Sequence, residues 1–168
     1  MPSDTASDRP APMTGDDVAR LMRSNLPPID RHDVRVEAIG PDAIHLRLPF
    51  NRSYVGPGTW QSGQGEIYSG PLVMGLADTA MYGCVVAALG ARAIPVMVSM
   101  TTNFLRPARA ADLIAHARIV RRGTRLFYLE CWLTSDGEMD PCSHVTATYR
   151  VLRSAGYACD QEKNPTQL

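Results

Sequence analysis

The sequence has no excess of charge of either sign, because 17 Lys and Arg residues balance 17 Asp and Glu residues in a chain of 168. Proteins that bind nucleic acid usually carry a basic stripe or patch, and no dense basic run occurs here. Cysteines are also few, and the spacing of the four present matches no metal-ligand motif. We therefore expect no nucleic-acid partner, no metal site, and free thiols in a reducing cytoplasm.

The sequence also lacks a charge-free run of the roughly 20 residues that a membrane span requires. Its most apolar stretch lies between Ser69 and Gly90, and Asp78 divides that stretch into two shorter runs. The first residues, MPSDTASDRPAP, are acidic and rich in proline, unlike a signal peptide. We expect no membrane partner.

Asp78 is the only ionisable carboxylate in this apolar stretch. If the stretch is a helix, apolar or small side chains surround the carboxylate on nearly all sides. Burial disfavours its charged form, and such groups are candidates for acid, base or nucleophile roles. The alternative is a structural carboxylate that is hydrogen-bonded to backbone or to Thr79. Tyr82 falls on the same helix face, where it either orients the carboxylate, lines a pocket, or belongs to the core.

The order of elements predicts an α+β domain in which one antiparallel sheet wraps around a long central helix. We expect a disordered tail over residues 1–12, a single domain over 13–153, and a flexible tail over 154–168. Thr14 caps a first helix, which ends at Leu26-Pro27-Pro28. Alternating polarity predicts six strands, at Val34–Ile39, Ala43–Leu48, Val96–Phe104, Leu113–Val120, Leu126–Leu133 and Ser143–Leu152.

Residues 51–68, before the central helix, are rich in glycine and show no regular period. A loop of this length in a compact domain is usually functional or disordered. Tyr54, Trp60 and Tyr68 supply aromatic anchors, which favour an ordered lid. Gly75 and Gly83 leave room beside the helix for a bound group.

Five short motifs occur in a set order along the chain. They are Ser69-Gly70-Pro71, Leu76–Met81, Thr102–Ala108, Asp112-Leu113 with Arg121-Arg122-Gly123, and Ala147-Thr148-Tyr149. As a set they resemble the motifs of hot-dog acyl-CoA thioesterases of the phenylacetate-degradation type. The resemblance covers about Val34 to Leu152 and implies the hot-dog fold.

The resemblance also implies a mechanism. In such thioesterases a glycine N–H at the helix N-terminus polarises the thioester carbonyl, and an acid further along the helix activates water or attacks the carbonyl. By position, Gly70 matches the oxyanion donor and Asp78 matches the general base or nucleophile. Ser69 stands where a histidine is usual, and Pro71 replaces a second glycine, which suits a first helical turn. The reaction would release a free acid and CoA, and it needs no cofactor beyond this substrate.

The other candidate residues concern substrate binding. Arginines bind phosphates bidentately, and CoA carries phosphates, although arginines in turns are more often only solvated. The glutamine that often precedes the helix corresponds to Gln64 or Gln61. Ser69 either caps the helix or hydrogen-bonds the substrate or a water molecule. The assigned set is Ser69, Tyr82, Gln64, Asn103, Arg106, Arg121 and Arg122.

Gly70 and Asp78 are eight residues apart, or about 12 Å along one helix at roughly 1.5 Å per residue. One thioester cannot touch both. The Asp78 that serves Gly70 must therefore come from a second subunit, as the resemblance also implies. We predict a homodimer with two shared sites, assembled further into a homotetramer. The alternative function is that of a non-catalytic acyl-CoA or fatty-acyl binding protein with the same fold.

Overall fold

The structure is a computed structural model that describes residues 13–27, 33–57, 65–91 and 93–153. The predicted tails over 1–12 and 154–168 lie outside these ranges. The helices are α1 (Gly15–Asn25) and α2 (Gly70–Leu89). The strands are β1 (Arg35–Ile39), β2 (Ala43–Leu48), β3 (Val55–Pro57), β4 (Glu66–Tyr68), β5 (Ala93–Phe104), β6 (Leu113–Arg122), β7 (Leu126–Ser135) and β8 (Ser143–Arg153).

Six strands form one antiparallel sheet in the order β1-β2-β6-β7-β8-β5. The six strands expected from the sequence are all present, and the predicted α+β architecture is confirmed. The largest difference in bounds is at β5, which begins at Ala93 rather than Val96. In a sequence, a proline such as Pro95 usually marks the end of a strand. Here β5 lies at the edge of the sheet, where a backbone nitrogen without a proton is tolerated.

The helix α2 lies against the inner face of this sheet. Alternate residues of the strands point inward, as at Val145, Ala147 and Tyr149 of β8, which are all buried. Because α2 is apolar around most of its circumference, it needs cover on several sides, and α1 supplies part of it. Each fully buried Val, Leu or Met contributes about 1.5–3 kcal/mol to this packing.

Two glycines of α2 have different surroundings. A Cβ at Gly83 would lie 3.0 Å from Met22 Sδ and 3.3 Å from Ile44 Cδ1, so the absence of a side chain lets α1 and β2 approach closely. The prediction that Gly83 leaves room for a bound group is therefore wrong, because core side chains fill that space. A Cβ at Gly75 would meet no atom within 4 Å.

The helix Gly70–Leu89 is, among the described residues, the one helix long and apolar enough to span a membrane. More than half of its apolar window is buried inside the fold. The core helix of a globular domain can have the same length and apolar composition as a membrane span, and burial within the fold explains this helix in that way.

The segment before α2 is partly ordered into short elements. Arg52–Tyr54 forms a 3₁₀ turn, and β3 pairs antiparallel with β4. The Tyr68 side chain is buried, and its hydroxyl donates to the Ala111 carbonyl at 2.6 Å. Tyr68 is therefore an anchor, as predicted. Residues 58–64, which include Trp60, Gln61 and Gln64, lie outside the described ranges, so the lid stays a prediction.

Candidate active site

The N-terminus of α2 is formed by Ser69 and Gly70. Ser69 is the N-cap residue with extended backbone (φ −63°, ψ 133°), and its side chain makes no capping hydrogen bond. Ser69 therefore occupies the cap position, but its hydroxyl does not cap the helix. Its carbonyl accepts instead, from the N–H groups of Leu72 at 3.1 Å and Val73 at 3.2 Å. The hydroxyl is exposed at the helix start.

Gly70 contributes a backbone donor at this end of the helix. Within the part of the chain that the structure describes, no acceptor is bonded to the Gly70 N–H. Helix N-termini carry unpaired N–H groups and the positive end of the helix dipole, which together stabilise developing negative charge. A Cβ at Gly70 would lie 3.3 Å from Phe104 Cζ, so glycine keeps this approach open.

The Gly70 end of α2 opens into a cavity of about 380 Å³. Most of its lining is apolar, including Val73, Phe104, Leu105 and Ala108. Arg106 is the charged residue in the lining, and its NH1 forms an ion pair with Asp140 Oδ2 at 3.0 Å. A mainly apolar cleft with a few polar groups at one end is typical of small-molecule sites.

Cys142 lines the same cavity but is not suited to act as a nucleophile. Its side chain is buried, and its Sγ donates to the Leu133 carbonyl at 3.2 Å. Burial raises the pKa of the Cys142 thiol to about 11. The thiolate is the nucleophilic form, so a thiol that stays protonated at neutral pH is unreactive.

Asp78 lies in the middle of α2 and is bound by a residue that the sequence reasoning did not connect to it. The Tyr149 hydroxyl donates to Asp78 Oδ1 and lies 3.2 Å from the Asp78 carbonyl oxygen. Thr79, the partner considered from the sequence, donates to the Gly75 carbonyl at 2.9 Å. Alternation along β8 puts Tyr149 on the same strand face as Val145 and Ala147, but only the folded sheet shows that it reaches α2.

Asp78 is half-buried rather than enclosed on nearly all sides, which corrects the expectation from the sequence. It lines a small cavity of about 60 Å³ together with Leu26, Gly75, Thr79 and Tyr82. The predicted common face of Asp78 and Tyr82 is confirmed. A space of this size holds one or two water molecules.

The lining residues of the Gly70 cavity and of the Asp78 cavity do not overlap. Gly70 and Asp78 are eight positions apart on one continuous helix, which separates them by about 12 Å along its axis. The structure therefore does not bring the two predicted catalytic groups together within one protomer.

Among the predicted binding residues that the structure describes, Ser69 precedes Gly70 at the helix start and Arg106 lines the Gly70 cavity. Arg122 lies at the opposite end of α2, where its NH2 donates to the Ala88 carbonyl at 2.9 Å and its NH1 is 3.6 Å from Asp42 Oδ1. Arg121 is exposed next to it on β6. Asn103 is exposed on β5, and its carbonyl accepts from the Ser143 hydroxyl at 3.0 Å. Within a protomer, Arg121 and Arg122 are remote from Gly70.

Histidines on the sheet pack with other rings on its outer face. The His45 and His116 rings stack with centroids 3.7 Å apart, and His144 stacks on Trp132 at 4.0 Å. Burial and the neighbouring His45 lower the pKa of His116. Alternation along β6 and β8 also favours packing on a sheet face for His116 and His144, since neither has an acid or cysteine spaced to form a catalytic triad. Across the described ranges, no three His, Cys, Asp or Glu side chains converge as a metal ion would require.

Comparisons with known proteins agree with this geometry. Residues 65–142 match the family model of the thioesterase superfamily. A provisionally assigned thioesterase from Silicibacter sp. TM1040 has a solved structure with 26% identity and a TM-score of 0.72, and the match covers 83% of this chain and 92% of that chain. A search of curated proteins found no match.

Two more distant structures share the fold. A thioesterase from Haemophilus influenzae is 18% identical with a TM-score of 0.70, covering 84% of this chain and 92% of that one. A mutant thioesterase from Pseudomonas aeruginosa is 16% identical with a TM-score of 0.70, and the match covers 86% of this chain and 98% of that chain. The antiparallel sheet around one long helix, together with the similarity to these solved thioesterases, identifies the hot-dog fold. The chain is similar in fold to hot-dog thioesterases, and its residues 65–142 match the thioesterase superfamily; the phenylacetate-degradation type stays a prediction.

Proposed function

We propose that the protein is an acyl-CoA thioesterase that hydrolyses a thioester to a free acid and CoA. The observation that carries this proposal is the Gly70 N–H, which has no acceptor among the described residues and lies at the start of α2 beside an apolar cavity. This donor suits the oxygen of a thioester carbonyl, on which negative charge develops during attack. The apolar lining suits an acyl group.

The carboxylate of this site is proposed to come from the partner subunit. The separation of Gly70 from Asp78 within a protomer supports this, because one thioester cannot reach both. A suitable contact surface exists on β5, an edge strand whose second side is unpaired within the described ranges. It exposes apolar side chains, at Val96, Met97, Val98 and Phe104. Such an edge is a template for association with another chain.

The proposed reaction proceeds through a tetrahedral intermediate. The partner's Asp78 accepts a proton from water, whose oxygen forms the new bond to the carbonyl carbon, while Gly70 N–H stabilises the oxyanion. The C–S bond then breaks, and the thiolate of CoA leaves and takes up the proton. Alternatively, Asp78 attacks the carbon directly, and water hydrolyses the resulting anhydride.

The remaining residues are assigned to the substrate. Ser69 and Arg106 lie near Gly70 and are proposed to bind the thioester and the CoA phosphates, respectively. Tyr82, which lines the same small cavity as Asp78, is proposed to line the acyl pocket. Arg121, Arg122, Asn103 and Gln64 stay predictions of the same kind. Assembly into a homotetramer, a cytoplasmic location and independence from cofactors and nucleic acid are further parts of the proposal.

The test is release of free thiol from a panel of short, medium, long and aromatic acyl-CoA esters. We expect turnover of at least one ester, and a decrease of about 10²- to 10⁴-fold in Asp78→Asn, the range of general base catalysis. Asp16→Asn, in the exposed first turn of α1, is the matched control and is expected to be unchanged. Tight binding of esters without thiol release would contradict hydrolysis and support the binding-protein alternative.

A further inference from the structure

We propose that Tyr149 is a positioning residue that fixes the orientation of the Asp78 carboxylate for the reaction. This inference rests on the proposed thioesterase function. It assigns to β8, one of the strands that pack against α2, a part of the site that lies outside the motifs around Gly70 and Asp78. Tyr149 acts through Asp78 and needs no contact with the substrate.

The contact is made between two different elements of the fold. Tyr149 is on β8, where it pairs with Met97 of β5 and Phe127 of β7, and its side chain is 1% exposed. From this position the phenol spans the layer between sheet and helix. Its hydroxyl then donates to Asp78 Oδ1 and lies within 3.2 Å of the Asp78 carbonyl oxygen.

The identity of the residue matters at this position. The other inward residues of β8 nearby, Val145 and Ala147, carry no polar group. A phenylalanine would fill the same space between β8 and α2, but it could not donate a hydrogen bond. The tyrosine hydroxyl therefore has a purpose that packing alone does not explain.

The hydroxyl remains a donor at every pH at which the enzyme is expected to work. Burial, followed by the negative charge of Asp78, raises the pKa of Tyr149 well above its ordinary value. A neutral phenol beside a carboxylate can only donate, so Oδ1 is held in one place. A hydrogen bond to the ionised form also favours that form, and ionised carboxylate is what a general base or nucleophile requires.

Fixing Oδ1 sets the direction of the whole carboxyl group. Asp78 also lines the small cavity with Gly75 and Tyr82, and Tyr149 is not among the residues of that lining. Loss of the Tyr149 donor would remove one restraint on the orientation of the carboxylate with respect to the attacked carbon. Small losses of alignment reduce rates strongly in reactions that depend on held geometry.

The experiment compares Tyr149→Phe with Tyr128→Phe, a matched control at an exposed tyrosine on β7. Tyr149→Phe is expected to lower kcat by about 10-fold or more, because the reacting carboxylate loses the hydrogen bond from the Tyr149 hydroxyl. KM should change little, because the substrate makes no contact with Tyr149. The acid limb of the pH profile of kcat/KM should move to higher pH, since the ionised carboxylate has lost a donor. A purely structural role would change thermal stability without moving the limb.

The double variant Asp78→Asn/Tyr149→Phe measures how far the effect of Tyr149 on the rate depends on the Asp78 carboxylate. We expect it to be no slower than Asp78→Asn alone, because Tyr149 acts only through the carboxylate. An unchanged limb and kcat in Tyr149→Phe would overturn the proposal. An equal loss from Tyr149→Phe in the wild-type and Asp78→Asn backgrounds would overturn it as well.

Two measurements do not depend on turnover, so they separate this inference from the proposed function. Carbon NMR of the aspartate carboxyls, with Asp78 identified by Asp78→Asn, should show a higher titration midpoint in Tyr149→Phe. If Tyr149→Phe does not fold, the second measurement uses tyrosine-labelled wild-type protein and tyrosine-labelled Asp78→Asn. The NMR signal of the Tyr149 hydroxyl proton should then lie further upfield in Asp78→Asn, because the hydrogen bond to the carboxylate is lost. An unmoved midpoint or proton signal overturns the inference, whereas absence of thiol release from all esters overturns only the thioesterase.

Discussion

Gly70 and Asp78 lie eight residues apart on α2, and each lines a different cavity of the protomer. The first offers a backbone N–H with no acceptor among the described residues. The second is a carboxylate held by the hydroxyl of a buried tyrosine. Under the proposed thioesterase function, each cavity would contain one half of the chemistry that hydrolysis requires, so the proposal makes assembly of the protein part of the mechanism.

The edge strand β5 provides a test of assembly. Val98→Lys places a charge on its most exposed apolar side chain, which is 61% exposed, so the fold of the protomer should be unaffected. We expect the protein to become monomeric in analytical ultracentrifugation and to lose thiol release, because desolvating a lysine in an interface is costly. Val120→Lys, at a residue 51% exposed on β6, is the control and should retain a dimer and activity. An active Val98→Lys monomer would contradict the shared site.

The approach of Phe104 to Gly70 gives a second prediction. Gly70→Ala keeps the N–H but brings a Cβ to 3.3 Å from Phe104 Cζ. Because the ring must shift and the cavity narrows, we expect kcat/KM to fall about tenfold, less than the loss of an oxyanion donor. The double variant Gly70→Ala/Phe104→Leu should recover part of the loss, and Phe104→Leu alone is the control. No effect of Gly70→Ala would mean that substrates do not approach this helix end.

Arg106 gives a prediction about CoA recognition. Its ion pair with Asp140 is largely exposed, so removing it should change stability little. Arg106→Ala is expected to raise KM for acyl-CoA about 3- to 10-fold, with the difference shrinking at high salt, because a charge contact to phosphate is screened. Arg20→Ala, at an exposed arginine of α1, is the matched control. An equal loss for an acyl ester of pantetheine, which lacks the nucleotide, would argue against a phosphate contact.

The buried thiol of Cys84 predicts a loss of stability at high pH. Burial, followed by the nearby Asp42, raises the pKa of Cys84 from 9.0 to about 12. The folded state therefore holds its proton more tightly than the unfolded state. The contribution of this thiol to the free energy of unfolding should be constant below pH 9 and fall as pH rises from 9 to 12, at about 1.4 kcal/mol per pH unit.

Urea unfolding of the wild type and Cys84→Ala over this range measures the effect. The variant starts less stable, since a buried sulfur is lost, but its stability should fall less steeply with pH. Cys142, whose pKa is raised to about 11, continues to contribute to the slope in both proteins. Parallel curves for the two proteins would show that Cys84 ionises normally.

The sequence predicts the elements better than the contacts between them. Alternation along the strands and the apolar run around Asp78 are local patterns, so the sheet and α2 could be expected from them. The register of β8 on β7 and β5 depends on the strand order, which no local pattern contains. This is why Tyr149 could be placed on the inner face but not against Asp78. The filling of the space at Gly83 by Met22 of α1 was missed for the same reason.

The cap of α2 shows another limit of the sequence. Serine before a helix is a common cap, but at Ser69 the carbonyl, not the hydroxyl, accepts from the first N–H groups. The carbonyl of an N-cap residue accepts in any case, and whether the hydroxyl also accepts depends on the side-chain rotamer, which the sequence does not reveal. Gln64 and the centre of the expected lid lie outside the described residues, so their part in the site stays a prediction from the sequence.

The most direct test mixes two inactive variants. One carries Asp78→Asn, and the other carries Gly70→Leu, whose side chain should block the helix end next to Phe104. After joint unfolding and refolding, a mixed dimer has one site with an intact Gly70 and an intact partner carboxylate. Thiol release should therefore recover to about one quarter of the wild-type rate for random mixing in equal amounts. If both groups served one site within a single protomer, the mixture would stay as inactive as its components.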